Sequence, residues 1–267
     1  EPKNRGRALG FHAIGGSLSF FLAPLMAAAI AAAWSWRGSF IGLAVPTMLL
    51  GIMFHILLGK LVTEKKAGQS ATGSHIEAPP TPGRVRRLTI VIILSTFNQA
   101  VIFSTISFIP LFLVDHFGVS QETAAAFIAL LYSSGIWAGP LGGYLSDRLG
   151  RVPVLLVIYF ITGPIIYLLT LVPYGLGIGA LLVAIGMILY VRMPVTEAYV
   201  VGQTSERNRS TILGIYFFSN NEGGGILTPI LGYLIDRLGF YPSFTMAGAA
   251  LVAVTLVCAI WLRGSRD

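Results

Sequence analysis

Long apolar runs separated by short polar gaps set the pattern of this chain. A helix that crosses a bilayer needs about 20 mostly apolar residues, each rising roughly 1.5 Å. Eight stretches have that length: 8–33, 38–60, 88–113, 122–145, 153–172, 177–202, 210–235 and 241–262. The first follows Lys3, Arg5 and Arg7 and ends in small residues, Ala27 to Ala33, as a signal peptide would. It is too long for one and has seven further spans behind it. The long polar insertion, Glu64 to Arg87, holds Gly68, Gly73, Pro79, Pro80, Pro82 and Gly83 among Ser, Thr and Lys, the composition of a flexible linker. All other connections are short, so consecutive helices are expected as antiparallel neighbours in an all-α, polytopic membrane bundle of eight transmembrane helices.

Composition agrees with that pattern. Of the 267 residues, 55% are apolar or aromatic and 11% are charged, far from the balance of a water-soluble domain. A soluble enzyme is excluded, because one core cannot hide so much apolar surface. The net charge of +7 does not point to nucleic acid, since Lys and Arg sit in the gaps between apolar runs and form no face of a polar domain. Placed on alternate sides of the membrane, 15 of these residues fall with the termini and the linker, and 2, Arg37 and Arg237, fall opposite. Lys and Arg resist translocation, so both termini and the linker are expected in the cytoplasm. The lone cysteine, Cys258, lies in the last apolar run and reads as packing.

The chain also repeats itself. Arg5-x-x-x-Leu9-Gly10 recurs as Arg209-x-x-x-Leu213-Gly214, and Ser39-Phe40 as Ser243-Phe244, all 204 residues apart. Two related halves are a mark of duplicated transporter folds. Between the fourth and fifth spans, on the basic side, stands Gly143-Tyr-Leu145-Ser-Asp147-Arg148-Leu-Gly150-Arg151. This resembles the G-x-L-x-D-R-x-G-R loop signature of the major facilitator superfamily. An echo, Gly232-Tyr-Leu234-Ile-Asp236-Arg237-Leu-Gly239, sits on the outer side. The resemblance covers essentially the whole chain and maps its eight spans to helices five through twelve of the family's twelve. It implies two helices of an incomplete amino-terminal half over 1–60, a cytoplasmic linker over 61–87 and a six-helix carboxy-terminal half over 88–267. It further implies a fragment-like chain, in an integral, bacterial inner membrane protein that is monomeric when full length. Drug-proton antiporters of the superfamily carry G-x-x-x-G-P-x-x-G-G in helix five, where this chain has Ser19, Ala23, Pro24, Ala27 and Ala28.

Within the loop motif, Gly143 and Gly150 allow close approach and a tight turn, while Arg148 and Arg151 hold the next helix start on the positive side. Asp147 is badly placed for its own helix's negative C-terminus and needs a donor elsewhere. The resemblance implies that donor is the N-terminus of the first span, around residues 4–9, so that Asp147 latches the two halves on the cytoplasmic side. A solvated Asp147 paired with Arg148 or Arg151 is the plainer alternative.

Charges inside a span are costly and usually face a cavity or a partner. Arg192 and Glu222 both lie about 15–18 Å from the cytoplasmic helix ends, near the midplane. Asn98, Gln99, Tyr132 and Asn221 share that region, and together they suggest a polar binding layer on a substrate and proton pathway. Taken singly, Asn98, Gln99, Tyr132, Asn220 and Asn221 read as interhelical hydrogen bonding. Glu222 is expected to pair with Arg192 and carry a coupling proton, or Arg192 to meet an anionic substrate. Glu197, nearer the cytoplasmic end, reads as a snorkelling or capping group. Small-residue patterns at Gly135-x-x-x-Gly139-Pro140 and Gly224-x-x-x-Thr228-Pro229 favour close helix contacts and bends. His12, His55, His75 and His116 have no metal-ligand spacing, and neither a metal nor a cofactor is expected. The expected function is secondary active transport of a small organic solute or drug, coupled to protons, by alternating access. A membrane scaffold or receptor relic, or a polytopic membrane enzyme, are the rival readings.

Overall fold

A computed structural model describes residues 33–68 and 83–262, together with Leu18, Ser19, Leu22, Met26 and Ile30. Ala23, Pro24, Ala27 and Ala28 of the opening span, the latch partner around residues 4–9 and the segment 69–82 lie outside the described residues. Those from Ser19 to Gly68 and those from Gly83 onward form two separate compact units.

The first unit holds α1, Trp36–Gly68. Ser35 starts it, accepting a hydrogen bond from the Gly38 amide at 3.2 Å. Its stretch Arg37–Leu57 is long and apolar enough to span a membrane. Large apolar side chains on it, Phe40, Ile41, Met48 and Leu49 among them, are exposed. The helix continues to Gly68, past the end expected at 60, through Leu61, Glu64, Lys65, Lys66 and Ala67, all good helix formers.

The second unit contains α2 (Arg84–Phe117), α3 (Gln121–Ser133), α4 (Gly135–Leu149), α5 (Arg151–Leu168), α6 (Leu176–Gly202), α7 (Arg209–Leu238) and α8 (Phe240–Trp261). Among the described residues, six stretches are long and apolar enough to cross a membrane: that of α1, then α2, Thr123–Leu149, α5, α6 and α8. Helices α3 and α4 together make one broken span. Helix α7 has 30 residues, ample length, but is more polar than the others because Ser219, Asn220, Asn221 and Glu222 interrupt its apolar run.

Small residues decide how the helices meet. A Cβ added to Gly163 would stand 2.6 Å from the Gly248 carbonyl oxygen, and one on Gly248 would stand 2.7 Å from that of Gly163, so α5 and α8 cross backbone to backbone. Gly142 of α4 brings its backbone equally close to Val191 of α6, 2.6 Å from a hypothetical Cβ to the carbonyl oxygen. Along α7, Gly224, Thr228 and Gly232 recur every four residues and face α2. Gly224 packs on Phe103 and Gly232 on Phe108, and Thr228 hydrogen-bonds Ser104 at 3.0 Å.

The break between α3 and α4 falls at Ser134. Its hydroxyl donates to the Val183 carbonyl at 3.2 Å, and the Leu131 carbonyl oxygen lies where a Cβ on Gly186 would sit 2.1 Å away. The bend thus presses this turn of α3 against a glycine of α6. Pro140, which has no N–H to donate, follows within α4.

The buried apolar residues form two main clusters. One gathers Val101 to Leu113 of α2 with Ile178 to Ile188 of α6, Leu231, Phe244 and Leu251. The other gathers Leu88 to Leu94 of α2 with Val152 to Tyr159, Val195 to Val200 and Tyr216. Between them lies a band of buried polar side chains.

Candidate functional site

That band is centred on Arg192, ten residues before the end of α6 and 4% exposed. At about 1.5 Å per residue the guanidinium is carried by backbone roughly 15 Å inside the helix. Its Nη1 donates to the Ser95 hydroxyl at 3.0 Å and to Asn220 Oδ1 at 3.3 Å, and its Nη2 donates to Gln99 Oε1. Ser95 and Gln99 are one turn apart on α2 and so share a face. Three helices, α2, α6 and α7, therefore converge on one cation through neutral oxygens.

The acceptors are themselves held. Asn220 donates its amide to the Tyr216 carbonyl at 2.8 Å, which turns its Oδ1 toward Arg192. Thr196 donates to the carbonyl of Arg192 at 3.0 Å and bonds Tyr159 at 3.2 Å. Tyr216 touches the same network through Ser95 and lies within electrostatic range of both Arg192 and Glu197. Glu197 is 6% exposed, buried with the band and not snorkelling.

The sequence-derived residues divide. Gln99 and Arg192, expected in one polar layer, hydrogen-bond each other and are joined by Asn220 and by Ser95, a residue whose type alone raised no signal. Asn98 is fully buried one position round the helix and donates to Thr162 of α5 at 3.4 Å, away from Arg192. Tyr132 of α3 is half-buried and packs beside Ala138, Tyr190 and Val191. Asn221 is exposed and donates to the Phe217 carbonyl at 2.8 Å. The pairing of Glu222 with Arg192 is not formed. Glu222 is exposed, and two residues beyond Asn220 means about 200° around the helix, away from the arginine.

The loop motif acquires distinct roles at each position. Gly143 is buried in α4. Gly150 takes φ 90 and ψ 149, ends α4 with an N–H to the Ser146 carbonyl at 3.1 Å, and lets α5 begin at once. Arg148 lies 4.7 Å over the Tyr144 ring. Arg151 reaches α6, its guanidinium 2.7 Å from where a Cβ on Gly202 would be. Arg84, at the start of α2, donates to the Gln203 carbonyl at 2.8 Å, so two arginines meet the negative C-terminus of α6. Asp147 is exposed, as in the plainer alternative, while Arg148 and Arg151 make these other contacts. The echo at 232–239 repeats the design: Arg237 lies over Tyr233, and Gly239, at φ 83, donates to the Ile235 carbonyl at 2.8 Å before α8 begins.

Two clefts on the second unit are apolar. One, about 170 Å³, lies among Phe97, Leu227, Ile230 and Met246, between α2, α7 and α8. The other follows the glycine crossing of α5 and α8. Neither contains the arginine band.

A family model described as Major Facilitator Superfamily matches residues 1–226 and, in a second overlapping match, residues 134–267. Among curated proteins, a hexuronate transporter of Bacillus subtilis is 24% identical over 98% of this chain and 66% of its own length. A dipeptide and tripeptide permease B of Aeromonas hydrophila is 30% identical over 55% of this chain and 30% of its own. A probable nitrate/nitrite antiporter of Thermus thermophilus is 29% identical over 56% of this chain and 35% of its own. The chain thus spans from about a third to just under two thirds of the length of these relatives.

Proposed function

The chain belongs to the Major Facilitator Superfamily, and from that membership we propose that its full-length protein is a secondary active transporter, not an enzyme, moving a small organic solute by alternating access. The observation that carries this reading is the Arg192 band. Three spanning helices spend buried polar groups on one layer between two apolar clusters, a costly arrangement unless the layer serves a solute that passes through it. Supporting it, the three relatives above are named for carrying small solutes, and all are bacterial.

The finer reading is proton coupling through Glu222. A carboxylate exposed in the middle of α7 is expensive against lipid tails, so that face of α7 turns to a water-filled path from which a proton can be taken up. Asp147 serves as the cytoplasmic latch toward residues 4–9, a role its exposure leaves open to it. The distribution of Lys and Arg supports cytoplasmic termini and a bacterial inner membrane location, and the full-length protein works as a monomer.

The test is flux in proteoliposomes of the full-length protein under an imposed pH gradient, with D-glucuronate, a dipeptide and nitrate as first solutes. Wild type is expected to accumulate one of them. Glu222→Gln is expected to lose gradient-driven accumulation and keep downhill exchange. Accumulation undiminished in Glu222→Gln would make that carboxylate structural, and absence of flux for any solute would remove the transporter reading.

A further inference from the structure

We propose that Arg192 is the receptor for an anionic group on the transported solute, a carboxylate or an anion of like shape, held along the guanidinium edge that carries Nε and Nη2. This rests on the transporter reading and names the substrate class of its polar layer.

A guanidinium keeps its charge whatever its surroundings, so burial cannot be relieved by losing a proton. Arg192 is 4% exposed, and the three side chains within hydrogen-bonding reach of it among the described residues, Ser95, Gln99 and Asn220, are all neutral. They orient the cation without cancelling it. Its two bonds from Nη1 and one from Nη2 leave two of the five N–H groups, and Nε is buried with no acceptor among the described residues. Nε and Nη2 flank one edge of the planar group, the fork that takes both oxygens of a carboxylate.

Among the described residues no carboxylate is hydrogen-bonded to Arg192. Glu222 lies on the far side of α7. Glu197 is on α6 itself, about 7–8 Å further along the axis by helical rise, where it and Arg192 both act on Tyr216. The Asn220–Tyr216 bond fixes one neutral acceptor and Thr196 holds the Arg192 backbone carbonyl, so the direction of the fork is set before the alternating-access movement opens it to a solute.

The experiment is a thermal-shift titration of the detergent-solubilised full-length protein. The probes are acetate, lactate, gluconate and glutarate, each beside the neutral amide of the same skeleton, with sodium chloride and sodium nitrate as inorganic arms. At least one carboxylate is expected to stabilise wild type while its amide is silent. Arg192→Gln is expected to weaken its apparent affinity at least tenfold, and Arg192→Lys, which keeps the charge without the fork, to fall between. Gln99→Glu, which supplies a carboxylate from within, gives the same loss by a route that keeps the arginine. Amides as effective as acids, no effect of any carboxylate, or affinity unchanged in Arg192→Gln and Gln99→Glu would overturn the proposal. Stabilisation by nitrate or chloride alone, with every carboxylate silent, would also overturn it as an organic-anion site. Flux of a neutral solute would sink this inference and leave the transporter standing. Arginine-dependent anion binding without flux would do the reverse.

Discussion

Gln99 meets Arg192 through its carbonyl oxygen, and replacing it by glutamate changes one NH₂ to an oxygen while keeping the shape. The buried cation would then have a carboxylate within hydrogen-bonding distance, where three neutral acceptors now stand. The bond replaced already has one charged partner, and the substitution makes both charged, adding a direct attraction to a cation now met by neutral acceptors. Gln99→Glu is therefore expected to raise the melting temperature of the solubilised protein as it removes anion binding. A variant that is destabilised would show that Arg192 is already compensated. Depth along two spans placed residues 99 and 192 in one polar layer, but whether both faced inward was not readable from the sequence. The choice of Asn220 over Glu222 was not foreseeable. Four consecutive polar residues, 219–222, point in nearly every direction around α7, so period 3.6 carries no phase there and each competes for the inward face.

Helix contacts were legible in part, because glycine at intervals of four in an apolar run signals close approach whatever its partner. Gly224-x-x-x-Thr228 indeed faces α2. Gly186 and Gly142 carried no such pattern, yet each admits a neighbouring carbonyl or backbone. The extension of α1 to Gly68 was hidden for a different reason: its charged end breaks the apolar run without breaking helix propensity. Two alanine substitutions separate packing from propensity at this scale. Gly186→Ala drives a methyl to 2.1 Å from the Leu131 carbonyl oxygen at the bend between α3 and α4, and overpacking of this kind costs about 1–3 kcal/mol. Gly214→Ala, on α7 with nothing within 4 Å, removes backbone freedom at no steric cost and is expected to gain about 0.5–1 kcal/mol. Thermal denaturation in one detergent reads both, and equal shifts would mean that the bend is not held against Gly186.

For the whole molecule the decisive quantity is the side of the membrane on which each connection lies. The loop motif at 143–151 and its echo at 232–239 share the Tyr–Arg stacking and the glycine turn, yet successive antiparallel spans put them at opposite ends of the second unit. The distribution of Lys and Arg predicts the turn before α6 outside and the turn before α7, which carries Arg207 and Arg209, in the cytoplasm. Cysteines placed at Leu176, 96% exposed, and at the exposed Asn208 test this in intact cells. With Cys258 first replaced by serine, Leu176→Cys is expected to react with a membrane-impermeant maleimide from outside, and Asn208→Cys only after permeabilisation. Reaction of both from one side would mean that α6 does not cross. The arginine band would then have no midplane to occupy, since its depth is measured along that helix.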